Sequence, residues 1–191
     1  LKVSKQIETD LSVFLSICQN PVIAVTGSKG KSTTVSAIFH IVKSVYKNAK
    51  LGGNITTSPL TFIDEISPET PVILELSSWQ LADIKERNLL KPKVAVITNI
   101  LPDHLNRYRD MAEYVEDKKL IYKDQLKTDF TLCNFDDNYG KIFASETPGN
   151  AIYFSENLLP DNIKGVWLEK NQTGYININQ GKEQIVPEKV K

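Results

Sequence analysis

The segment Ala24-Val25-Thr26-Gly27-Ser28-Lys29-Gly30-Lys31-Ser32-Thr33 runs from a short apolar stretch through a Gly-Lys-Ser turn into residues patterned as a helix. These residue types at this spacing bind phosphate. Glycines let backbone amides wrap an anion, the following helix points its positive end at it, Lys31 supplies a mobile cation, and the Ser32 hydroxyl suits a magnesium ion. The first ligand to expect is a nucleoside triphosphate. Common phosphate loops have a longer spacer before Gly-Lys, whereas here only Ser28 and Lys29 separate Gly27 from Gly30. The loop is a shortened variant, and its neighbours must say which.

Three further sets carry reactive groups. Glu75 ends the apolar run Val72-Ile73-Leu74 and precedes Leu76-Ser77-Ser78-Trp79-Gln80. A carboxylate there needs a cation or a salt-bridge partner, because burying an unpaired acid is costly. Asn99-Ile100-Leu101-Pro102-Asp103-His104 follows the run Val94 to Thr98. Its imidazole can bind metal or touch a phosphoryl group with Asp103 orienting it, or the segment is a turn with a surface histidine. Lys118 shares a helical face with Tyr114, Val115, Ile121 and Tyr122, on a helix opened by Asp110 and Glu113 in the manner of a capping box. Such a lysine either snorkels to water or is buried. If buried, its lowered pKa leaves an amine able to react with carbon dioxide and become an anionic oxygen ligand.

These groups need a scaffold that brings them to one rim. Apolar runs at Val22–Val25, Val72–Leu76, Val94–Thr98, Phe130–Cys133 and Ala151–Phe154 read as strands, most of them separated by helix-sized intervals. Ile7, Leu11, Phe14, Leu15 and Cys18 predict a lead-in helix within residues 1–20. Val35, Ile38, Phe39, Val42 and Val45 predict the buried face of a helix after the loop, with His40 on its polar side. The fold expected is α/β, a mostly parallel sheet with helices on both faces, like that of P-loop nucleoside triphosphatases. Residues 165–191 change character, and their short β-rich runs predict a small antiparallel appendage with turns at 171–174 and 179–182. Open parallel sheets gather ligands at the carboxyl ends of their strands, where the four sets above fall.

Composition narrows the function classes. Twenty-three basic residues balance 23 acidic ones in 191 residues, so no net field favours nucleic acid or an anionic membrane. Cys18 and Cys133 lack metal-ligand spacing, and no run is long enough for a signal or membrane-spanning segment. The expectation is a cytoplasmic protein with both thiols reduced and buried.

In this order and approximate spacing, the four sets resemble the central ATP-binding domain of the Mur ligases, the amide ligases that build the peptide stem of peptidoglycan. Thr26 through Thr33 is similar to the family's shortened phosphate loop, Asn99 through Asp103-His104 to its Asn-x-x-x-Asp-His element, and Lys118 with Tyr122 to the place of its carbamylated lysine. Glu75-Leu76-Ser77-Ser78-Trp79-Gln80-Leu81 and Gly52-Gly53-Asn54-Ile55 most resemble the D-glutamate-adding branch. Lys29 and Trp79 stand where a neutral residue and a phenylalanine are commoner.

The resemblance implies ATP and Mg2+ as cofactors, with Thr26, Gly27, Ser28, Lys29, Gly30, Lys31, Ser32 and Thr33 at the nucleotide. Ser32 and Glu75 would hold one magnesium ion, and His104 with a carbamylated Lys118 a second. Lys31, Lys118, His104 and Glu75 would be catalytic, while Asn54, Ser77, Ser78 and Asp103 would face the substrate. The substrates implied are UDP-N-acetylmuramoyl-L-alanine and D-glutamate, joined through an acyl phosphate by a monomeric enzyme. Residues 1–191 would be the central domain alone, without the family's UDP-binding and C-terminal domains or its later adenine-contacting His-Asn element, and would bind ATP weakly and not ligate by themselves. The rivals are a P-loop small-molecule kinase and a non-catalytic nucleotide-binding module.

Overall fold

The computed structural model describes residues 7–55, 57–103, 107–169, 173–178 and 181–186. Strands β1 (Val22–Thr26), β2 (Lys50–Gly53), β3 (Val72–Glu75), β4 (Val94–Ile97), β5 (Phe130–Asn134), β6 (Asn150–Ser155), β7 (Gly165–Leu168), β8 (Gly174–Asn177) and β9 (Glu183–Val186) form one sheet in the order β2-β3-β1-β4-β5-β6-β7-β8-β9. Pairing is parallel from β2 to β7 and antiparallel from β7 to β9. The antiparallel strands expected near the C-terminus thus extend the main sheet. Residues 171, 172, 179 and 180 of the two expected turns lie outside the described residues.

Because side chains alternate along a strand, each strand feeds both faces. Val25, Ile73 and Val96 point to the face covered by α2 (Lys31–Val45), where Val35 is buried and Ile38, Phe39 and Val42 pack around it. Ala24, Leu74, Ala95, Ile97 and Cys133 feed the opposite core. There they meet α1 (Asp10–Ile17), a 3-10 helix (Pro59–Glu65), α3 (Ser78–Asp83), α4 (Met111–Lys119) and α5 (Asn138–Glu146). Leu11 and Phe14 of the predicted lead-in helix are fully buried, but Ile7 is exposed. Val45, expected on the buried stripe of α2, is 72% exposed, as is most of Ile41, so that helix buries less than its pattern suggests. Both cysteines are free thiols; Cys133 is buried and Cys18 only half-buried. Among the described residues no helix is long and apolar enough to cross a membrane.

The topology sets the site. The chain leaves β1 toward β2 through α2 on one face, and leaves β3 toward β4 through α3 on the other. The loops after neighbouring strands β1 and β3 therefore part, opening a crevice at their carboxyl ends.

Candidate active site

The phosphate loop begins where β1 stops, and its shape depends on Gly27. Its φ is 144°, and a Cβ there would sit 1.9 Å from Thr98 Oγ1, so only glycine lets the loop lie against β4. Gly30, at φ 82°, caps α2 without a side-chain hydrogen bond. The amides of Lys31, Ser32 and Thr33 then form a first helical turn with no carbonyl four residues back inside the helix. These amides are the cradle.

Ser28 and Lys29, expected at the nucleotide, are also bound to the segment that follows β4. The Ser28 amide donates to the Asn99 carbonyl at 2.9 Å and the Lys29 amide to Asn99 Oδ1 at 3.0 Å, while Asn99 Nδ2 donates back to the Lys29 carbonyl. Ser28 Oγ accepts from the Leu101 amide at 2.9 Å, donates to its carbonyl at 3.0 Å, and lies 2.9 Å from the Tyr114 hydroxyl. Thr98 Oγ1 donates to the Lys29 carbonyl at 2.6 Å. The first half of the loop is stitched to the segment after β4, which leaves the second half to face a ligand. Thr26, also expected at the nucleotide, is fully buried, and its hydroxyl donates to the Leu76 carbonyl at 2.8 Å, tying β1 to β3.

Two lysines converge on one carbonyl. Lys31 Nζ donates to the carbonyls of Gly27 and Ser28, each at 3.0 Å. Lys118 Nζ reaches the same Gly27 carbonyl at 3.0 Å and Thr26 Oγ1 at 3.3 Å, with the Tyr114 ring centre 4.7 Å away. Lys118 does not snorkel; it is 2% exposed. Asp110 caps α4 through the Glu113 amide, and Glu113 returns a bond to the amide of Arg109, one residue before the cap, so the helix start that aims Lys118 is the predicted one. Burial, reinforced by the charge of Lys31, brings the Lys118 pKa down to about 7. Burial also lowers that of Lys31, against the opposing pull of Glu75 and Asp103.

Glu75 closes the other side of the crevice. It is 2% exposed, its Oε1 accepts from Asn54 Nδ2 at 3.0 Å, and its Oε2 has no hydrogen-bond partner. A carboxyl oxygen buried without a hydrogen-bond partner is a place for a cation. No group of three or more His, Cys, Asp or Glu among the described residues could hold a metal alone. A cation at Glu75 would therefore take further oxygens from a hydroxyl, a phosphate or water, as magnesium does. Asn54 follows β2 and is held by its amide bond to the Glu75 carbonyl. Asp103 pairs with Lys29 at 3.5 Å on the same rim. Ser77 caps α3 through the Gln80 amide, and Ser78 is buried. His104 lies outside the described residues.

The structure thus joins Lys31, Lys118, Glu75, Asn54, Asp103 and the loop amides at the carboxyl rim. Sequence reasoning missed the side-chain roles of Thr98 and Tyr114, which bind loop residues 69 and 86 positions away. The one available signal for Tyr114 was its place four residues before Lys118 on the apolar face.

This combination, a shortened phosphate loop beside a buried lysine and an orphaned strand-end glutamate on a mostly parallel sheet, defines a phosphate-binding domain of the P-loop kind. The family model described as the Mur ligase middle domain matches residues 25–186, and the chain belongs to that family. It is 45% identical over 161 residues to the UDP-N-acetylmuramoylalanine–D-glutamate ligase of Treponema pallidum, covering 79% of this chain and 30% of the relative. The protein of that name from Ruminiclostridium cellulolyticum is 42% identical over 186 residues, covering 95% of this chain and 39% of the relative. The chain therefore spans about a third of the length of the curated relatives it matches. Among solved structures, MurF from Acinetobacter baumannii aligns with a TM-score of 0.64 at 18% identity, over 92% of this chain and 40% of that one. MurF ligase from Thermotoga maritima in complex with ADP aligns at 0.60 and 18% identity, over 97% and 47%. At this identity the likeness is one of fold.

Proposed function

We propose that this chain is the ATP-handling part of a ligase that joins D-glutamate to UDP-N-acetylmuramoyl-L-alanine through an acyl phosphate. Amide formation from a free carboxylate is uphill in water, so the carboxylate must first receive the γ-phosphoryl group of ATP. The protein's contribution is positioning and charge neutralisation. Lys31 and the amides of Gly30 to Thr33 would hold the phosphates, with Lys31 leaving the Gly27 carbonyl for a phosphate oxygen. Ser32 and Glu75 would hold magnesium, which supplies charge neutralisation of the transferred phosphoryl group when bound. Asn54, Ser77, Ser78 and Asp103 would lie toward the substrate.

Lys118 is the residue whose state decides the reading. Its amine, with a pKa of about 7, is about half deprotonated at neutral pH, and the neutral form can attack carbon dioxide through the nitrogen lone pair and release one proton to solvent. The resulting carbamate would turn a buried cation beside Lys31 into an anion, and with His104 it would hold a second magnesium. The observation that carries the proposal is the convergence of Lys31, Lys118 and the unpartnered Glu75 oxygen around the Gly27 turn. The test is ADP release by the longer enzyme, which should require both UDP-N-acetylmuramoyl-L-alanine and D-glutamate. Release with the nucleotide substrate alone, unchanged by D-glutamate, would point to a kinase instead.

A further inference from the structure

We propose that Arg107, set over Trp79, forms a subsite for an oxyanion of the substrate, a carboxylate or a phosphate; this rests on the ligase reading above. Trp79 lies in the first turn of α3, four residues after Glu75, and 39% of it is exposed. Arg107 lies between β4 and α4, four residues after Asp103, and its guanidinium carbon stands 4.2 Å from the indole centre. Both residues follow carboxyl ends of central strands, on the rim that carries the phosphate loop.

Three features separate this pair from an ordinary solvated arginine. The backbone beside Arg107 is anchored, because neighbouring Tyr108 is 6% exposed and packs edge-on to Tyr114 with ring centres 5.2 Å apart. The stack fixes the guanidinium plane, which saves part of the ordering cost when a ligand binds. The third feature is the bonding capacity left on the guanidinium. Its N–H edge pairs with no described carboxylate, and a fixed fork of donors is the geometry that binds carboxylate or phosphate through two parallel hydrogen bonds. Lys31 and Lys118 are committed to the phosphate loop, so Arg107 is a separate positive charge for the substrate's own anionic groups.

Steady-state kinetics of the longer enzyme test this with Arg107→Gln, Arg107→Lys and Trp79→Leu, each checked for an unchanged melting temperature. Arg107→Gln should raise KM for one substrate by about tenfold, the loss of a charge-assisted bond, with a smaller change in kcat and no change in KM for ATP. Arg107→Lys should recover less than half of that loss, and Trp79→Leu should shift the same KM by less. A rise confined to UDP-N-acetylmuramoyl-L-alanine assigns the subsite to its anionic groups, and a rise confined to D-glutamate assigns it to that amino acid's carboxylates. If neither KM moves by twofold, or only that for ATP moves, the subsite does not exist. The difference in emission between the parent and Trp79→Leu isolates the Trp79 signal and gives a direct reading. It should change on binding the assigned substrate and not in Arg107→Gln. A parent enzyme that shows no D-glutamate-dependent ADP release would overturn the ligase reading itself, a result distinct from any of these.

Discussion

The two ends of the sheet bury polar groups in opposite ways. At the amino end Asp129 is 1% exposed, and both oxygens are used: Oδ1 pairs with Lys93 at 3.0 Å and Oδ2 accepts from the Leu126 amide at 2.7 Å. Gln125 beside it donates to the carbonyls of Pro92 and Phe130 and accepts from Thr131. At the carboxyl end Glu75 keeps an oxygen without a hydrogen-bond partner, and two lysines crowd the Gly27 carbonyl, feeling the charges of Glu75, Asp103 and Asp117 but in ion-pair contact with no carboxylate among the described residues. The first arrangement is self-sufficient and fixes the loop turns. The second calls for a ligand that brings phosphate and a cation; Arg87 Nη1, Tyr108 OH and Trp167 Nε1 are also buried without a partner, so what marks the site is an orphaned carboxylate oxygen beside a phosphate loop and not incomplete burial alone.

The sharpest way to break this contrast is to remove one charge from each end. Glu75→Gln should lower ADP release by about a thousandfold, the scale of losing a metal or transition-state contact, without lowering the melting temperature, since Gln keeps the shape and an oxygen that can accept from Asn54 Nδ2. A variant that keeps a tenth of the parent rate would deny Glu75 its cation. Lys118→Met should abolish ligation and stabilise the apo chain, in a pH-dependent way. With a folded pKa of about 7 against 10.5, the amine is protonated in both states below pH 7, and the folded state carries the whole cost of the buried charge. As pH rises from 7 to 10.5 the folded amine is neutral while the unfolded one is still losing its proton, so that cost fades. Denaturant titrations at pH 6 and pH 10, without bicarbonate or nucleotide, should give a gain for Met that is larger at pH 6 by a few kcal/mol, of order 4 at most. An equal gain at both values would mean that the folded-state pKa of Lys118 is not depressed below its unfolded value.

Asp129→Ala should do the reverse. It removes a satisfied acid and strands the Leu126 amide, costing about 2–4 kcal/mol of stability, while KM for every substrate stays at the parent value below the melting transition. A change in KM for ATP would join the two ends functionally and weaken the contrast.

How far the sequence foretells this depends on range. Central strands such as Val72–Glu75 are legible because burial on both faces makes them continuous apolar runs. The edge strand β2, Lys-Leu-Gly-Gly, has no such run, and only the Gly-Asn turn after it was visible. The stripe on α2 predicts which face turns inward but not how much sheet lies beneath the last turn, hence the exposure of Val45. In the site, the loop, Glu75 and Lys118 are local signals of residue type against an apolar background. Whether Lys118 snorkels or is buried is not local, because it depends on Thr26 and Gly27, 92 and 91 positions away. The stitching of Ser28 and Lys29 to Asn99 is of the same kind, and it is why the loop's first half is structural.

The smallest effect tests how that stitching works. Tyr114 is 1% exposed and touches both halves of the site, its hydroxyl 2.9 Å from Ser28 Oγ and its ring 4.7 Å from Lys118 Nζ. Tyr114→Phe keeps the ring and the attraction for the lysine and deletes only the hydroxyl. Ser28 Oγ would retain both of its bonds to Leu101, so that oxygen is not orphaned and the loss on the Ser28 side is that of one ordinary hydrogen bond, about 1 kcal/mol. Thermal denaturation should read that loss, and KM for ATP should rise by no more than about threefold as the loop loosens. A loss above about 3 kcal/mol would mean that the hydroxyl bridge, rather than Asn99, carries the loop's attachment to the rest of the rim.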